Sequence, residues 1–101
     1  MVMPRLFAVS FITANSQTYN PRHIDQAFAN ELDWMRFSSL QWFVWTNKSR
    51  DELVNTIFPY TSLTENFMVY AVQNEAAEGR AQSWIWEWMN DKMQKQLTGR
   101  D

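Results

Sequence analysis

The chain has 101 residues, of which 46% are hydrophobic and 16% aromatic, with a net charge of -2. That length makes one domain, residues 1–101, with enough apolar material for a core. The acidic balance excludes a general electrostatic attraction for nucleic acid. The absence of cysteine excludes disulfide and thiol chemistry, and a single histidine leaves only carboxylates as clustered metal ligands.

Leu6 to Ile12 is a continuous apolar run and predicts the first strand, β1. It is far shorter than the roughly 20 apolar residues that span a bilayer, and no small-residue cleavage site follows it. A cytoplasmic protein with no membrane association is therefore expected. Thr13 to Asn20 is a polar loop. Asn20-Pro21 then combines an N-cap residue with proline at the first helical position. Ile24, Ala27, Phe28 and Leu32 follow at helical spacing, so helix α1 is expected to run to about Leu32. His23 falls in its first turn and reads as a solvated helix-start residue.

Trp34 to Phe37 gives a short strand, β2, and Ser38-Ser39 a turn. Leu40 to Thr46, rich in aromatic and β-branched residues, is the strongest strand, β3. Ser49 and Glu52 have capping-box spacing. They open helix α2, whose apolar stripe is Leu53, Val54, Ile57 and Phe58 and which Pro59 ends or kinks. Phe67 to Val72 is strand β4. Gln73 to Gly79 is polar and acidic. A tryptophan-rich helix, α3, is expected over about 81–96, in which Trp84 and Trp88 share a face, as do Ile85 and Met89, with Trp86 at the rim of that apolar arc. Gly99 to Asp101 reads as a frayed tail.

The order β-α-β-β-α-β predicts an α+β domain of ferredoxin-like topology (core 5–72), with both crossover helices on one face of an antiparallel sheet. An open second face would then alternate towards polar residues, and it does not. β1 carries Phe7, Val9 and Phe11 on one side, and Leu6, Ala8, Ser10 and Ile12 on the other. β4 sets Phe67, Val69 and Ala71 against Met68, Tyr70 and Val72, and β3 is apolar on both sides too. Exposed, such a surface drives association. One helix of this length covers only part of four strands. The expectation is a homodimer whose interface includes Leu6, Ala8, Ser10, Ile12, Trp84, Trp86 and Trp88; the alternative is a monomer with α3 as the sole lid.

Arg5 to Phe11, Trp34-Met35-Arg36-Phe37, Trp42-Phe43-Val44, Asn66 to Val69, Gly79 and Trp86-Glu87-Trp88-Met89-Asn90 together form a pattern over residues 5–90. It resembles the small bacterial proteins labelled "SinR family", which are similar in turn to the CRISPR-associated ferredoxin-like nuclease and spacer-acquisition subunits. The resemblance implies a ferredoxin-like protomer that dimerises through its sheet. In the CRISPR-associated branch an acidic residue after an aromatic at the end of β1 holds a metal for phosphodiester cleavage. Here Ile12 follows Phe11, and its side chain offers no oxygen to a hard cation.

No catalytic, metal or cofactor site is assigned from the sequence. Asp51 and Glu52 are accounted for by the start of α2, and Glu75 and Glu78 belong to a solvated acidic loop. His23 has no placed partner among Ser10 and Ser16, and the two glycines form no phosphate-binding loop. Three functional readings follow. The first is a non-enzymatic homodimeric interaction or binding module. The second is a metal-dependent nuclease or toxin-like enzyme of the CRISPR-associated type, carried by the resemblance alone. The third is a non-cleaving nucleic-acid binder using Trp34, Trp45 or Trp86 for base stacking and Arg5, Arg36 or Arg80 for the backbone.

Overall fold

The computed structural model of the chain describes residues 3–13, 19–62, 65–72 and 82–98. β1 spans Arg5–Thr13, β2 Asp33–Ser38, β3 Gln41–Thr46 and β4 Asn66–Ala71. They form one sheet in the order β2-β3-β1-β4, with every neighbouring pair antiparallel. Two crossovers, β1-α1-β2 and β3-α2-β4, each step over one strand. The domain is therefore α+β, with a four-stranded antiparallel sheet and three α-helices among the described residues.

Helix α1 is shorter than its spacing predicts. It occupies Pro21–Asp25 and tightens into a 3₁₀ turn over Gln26–Phe28. Asn20 caps it, accepting from the Arg22 amide at 3.0 Å. Ile24, Ala27 and Phe28 are buried, whereas Leu32, the last residue of the helical pattern, is 52% exposed. The apolar stripe ends at Phe28, and no burial holds the chain in a helix beyond it. Helix α2, Arg50–Ile57, carries the expected capping box: Ser49 accepts from the Glu52 amide, and the Glu52 carboxylate accepts from the Ser49 amide, each at 3.2 Å. Those bonds hold the exposed Glu52 carboxyl below its ordinary range. Pro59 allows one further 3₁₀ turn, Phe58–Tyr60.

The period-2 alternation of the strands builds two cores, one on each face of the sheet. On the first face, Phe7, Val9, Phe11, Trp42 and Val44 pack against Ile24, Ala27 and Phe28 of the α1 segment and Leu53 and Ile57 of α2. On the second face, Leu6 and Trp45 meet Met89 and Met93 of α3, which spans Ser83–Thr98. The second face is covered from within the same chain, but only over part of its area.

Polar groups seal the first core at its margins. Trp42 is fully buried and donates its indole N–H to Asp25 at 2.8 Å; Arg36 lies 3.7 Å from the same carboxylate. The Tyr19 hydroxyl donates to the carbonyl of Ser39. Burial, reinforced by the charge of Glu65, pushes that phenol up to about 12. At the opposite margin Glu31, Thr46, Lys48 and Thr56 form one hydrogen-bonded group.

Candidate interaction surface

Helix α3 is fixed to the sheet by polar contacts as well as apolar ones. Its inward line runs through Met89, Lys92 and Met93 to Gln96, the three- and four-residue spacing of a single helix face. The Lys92 ammonium sits 2.9 Å from Asp33, at the start of β2, and lies over the Trp88 ring. Trp88 donates its indole N–H to the same carboxylate at 3.2 Å and stacks on Phe43, with centroids 6.2 Å apart. Partial burial by itself would raise the Asp33 carboxyl. The hydrogen bonds from Lys92, the Trp34 amide and Trp88, with the Lys92 charge, outweigh it and hold the group below its ordinary value. One turn further on, Gln96 accepts from the Leu6 amide at 2.8 Å and donates to the Val72 carbonyl at 3.1 Å. Its side-chain amide thus bridges the ends of β1 and β4 as a peptide group would.

Beyond α3 the second face carries exposed apolar side chains among the described residues. Ile12 is 60% exposed, Met68 52% and Tyr70 44%. Ile12 sits where the β1–β4 register slips by one residue between Phe11 and Thr13. The Tyr70 hydroxyl shares a 3.2 Å hydrogen bond with Ser10. Phe37 and Phe43 stack at 4.5 Å on the same face and remain half-buried.

The residues expected at an interface are therefore divided. Leu6 and Ala8 are buried within one chain and offer no surface to a second. Ser10, Trp86 and Trp88 are half-buried, with Trp86 and Trp88 packed against the second core. Ile12 and Trp84 are exposed. Trp84 lies one turn before Trp88 on the same helix, and its indole N–H donates to Gln82. Met68 and Tyr70, on the expected face of β4, share the open surface with Ile12.

The candidate nucleic-acid residues do not converge. Trp34 packs on Phe28, and Arg36 is engaged with Asp25, both on β2. Arg5 lies on β1, two strands away, and Arg80 falls outside the described residues. Arg5 instead borders a shallow cleft of about 340 Å³ with Phe7, Ser49, Arg50, Asp51 and Ala71. Arg50 there is 3.8 Å from Asp51. His23 is exposed beside the Tyr60 ring, 5.4 Å between centroids. Glu75 and Glu78 lie outside the described residues. Among the described residues no group of three His, Asp or Glu side chains is placed to hold a metal ion, and no helix is long and apolar enough to cross a membrane.

Sequence reasoning missed the Asp33–Lys92 contact and the Gln96 bridge. The signal for both was weak but present: Lys92 and Gln96 fall on the helix face of Met89, where a polar residue needs a partner. No protein-family model, curated protein or solved structure matches this chain.

Proposed function

We propose that this protein is a non-enzymatic homodimeric interaction module with a ferredoxin-like protomer. The strand order and the paired crossovers support that topology. The observation that carries the functional reading is the apolar area α3 leaves uncovered: Ile12, Met68 and Tyr70 lie together at the β1–β4 side of the sheet. Contiguous apolar surface of this kind on a small domain is an association site. The resemblance to the SinR-labelled proteins, in which the sheet mediates dimerisation, agrees with it. Nucleic-acid binding is less well supported, because Trp34 and Arg36 are committed to the core and to Asp25.

Sedimentation equilibrium tests the reading. A dimer in the micromolar range is expected, and its population should fall on Met68→Glu, which sets a charge on the exposed area without touching a buried side chain. A wild-type monomer throughout that range sinks the proposal.

A further inference from the structure

β4 ends the sheet, and its ladder with β1 fixes which backbone groups face outwards. The Val72 amide donates to the Leu6 carbonyl at 3.0 Å, whereas the Phe11 amide turns the other way and donates to Leu40 at 2.8 Å. Hydrogen-bonding direction alternates along an antiparallel strand. With Ala8 opposite Tyr70 and Ser10 opposite Met68, the amides and carbonyls of Met68 and Tyr70 point to β1. Those of Phe67, Val69 and Ala71 point away from it, into an edge that no strand among the described residues pairs with.

Open edges are usually defended by lysine, proline or an inward-pointing charge. β4 reads Asn-Phe-Met-Val-Tyr-Ala and has none of these, while the opposite edge, β2, carries Asp33 and Arg36. Exposed apolar side chains also flank β4 on both faces of the sheet. Met68, Tyr70 and Ile12 lie on the second, and Phe58, 56% exposed, packs edge-on to Phe67 on the first.

We infer that a second copy of this chain adds antiparallel to β4, with the two-fold axis at Val69, and joins two sheets into one of eight strands. This rests on the homodimer reading and names its surface. The register follows from the alternation. Centring on Val69 sets it opposite the partner's Val69 and sets Phe67 opposite the partner's Ala71, so all three outward residues exchange hydrogen bonds. Centring on Met68 or Tyr70 leaves one of the three without a partner inside β4. A two-fold axis sets a strand against itself, and an uncharged strand meets no like charge there. Met68 then stands across from the partner's Tyr70 as a non-hydrogen-bonded pair, a sulfur against an aromatic ring.

The cysteine-free chain allows a clean test. Met68→Cys and Tyr70→Cys variants, prepared separately, are mixed and oxidised mildly. A disulfide-linked dimer is expected from the mixture and not from either variant alone. Identical positions are diagonal neighbours at about 7–8 Å, beyond the span of a disulfide. A wild-type protein that sediments as a dimer while the mixture fails to cross-link overturns the β4 interface and leaves the homodimer reading standing. A wild-type monomer removes both. Val69→Pro gives a second readout: it deletes an outward amide and spares the β1 ladder. A folded Val69→Pro monomer is expected, and a folded Val69→Pro dimer overturns the inference. If that variant does not fold, the cysteine pair decides.

Discussion

Glu31 and Lys48 meet at 2.5 Å beneath the start of α2, and their exposures differ sharply. The Glu31 side chain is 3% exposed and also accepts from Thr46, whereas Lys48 is 34% exposed and also donates to Thr56. The two ends of the pair should therefore respond unequally to substitution. Lys48→Met strands a buried carboxylate and should cost about 3 kcal/mol. Glu31→Gln keeps an acceptor for Thr46 and lets Lys48 swing to water, so about 1 kcal/mol is expected. Urea unfolding of both variants checks the order; equal losses would show that the pair is symmetric. None of this was legible in the sequence. Glu31 was expected inside the end of α1, and the early end of that helix leaves its carboxylate at Thr46 of β3 and at Lys48. Ile12 is the opposite case. Its lack of a metal-binding oxygen was plain from the residue type, while its exposure, at the slip in the β1–β4 ladder, was visible only in the structure.

At the scale of elements, α3 depends on one carboxylate. Asp33 binds its proton more weakly in the folded protein than in the unfolded chain, because Lys92, the Trp34 amide and Trp88 all favour the charged form. Its contribution is then complete above its ordinary value of 3.8 and is lost as pH falls through the lower folded value. Asp33→Asn should cost about 1 kcal/mol at neutral pH, a figure reduced by the partial exposure of the pair. The deficit relative to wild type should shrink on acidification below 3.8. Tryptophan fluorescence through urea titrations across the acid range checks this, since Trp88 touches the group that titrates. A deficit that persists unchanged into strong acid would assign the loss to packing. The helix itself was readable from its spacing, and its inward line was not. The spacing paired Trp84 with Trp88 and Ile85 with Met89 without saying which pair faces the sheet, and the buried line uses the slimmer Met89 and Met93. Unbranched methionines let α3 settle close on Leu6 and Trp45, and Trp88 is placed at the flank where its indole N–H reaches Asp33.

For the whole molecule, association and stability are linked. If the folded state is a dimer that dissociates on unfolding, each tenfold rise in protein concentration adds about 1.4 kcal/mol per dimer. The thermal midpoint should therefore climb with concentration, and in Val69→Pro it should not. Differential scanning calorimetry over a hundredfold concentration range checks both. A wild-type midpoint that does not move would place the apolar area outside any stable self-association.

The sequence by itself determined that the sheet is apolar on both faces, because side chains alternate along a strand and hydrophobic residues fill both positions in β1, β3 and β4. It determined the caps of α1 and α2 as well, since those depend on neighbours a few residues apart. What covers the second face was decided only by tertiary structure. The seat of α3, set by Asp33, Lys92 and Gln96, depends on residues up to ninety positions apart in the chain. That seat buries Leu6 and leaves Met68 and Tyr70 open beside an uncharged edge.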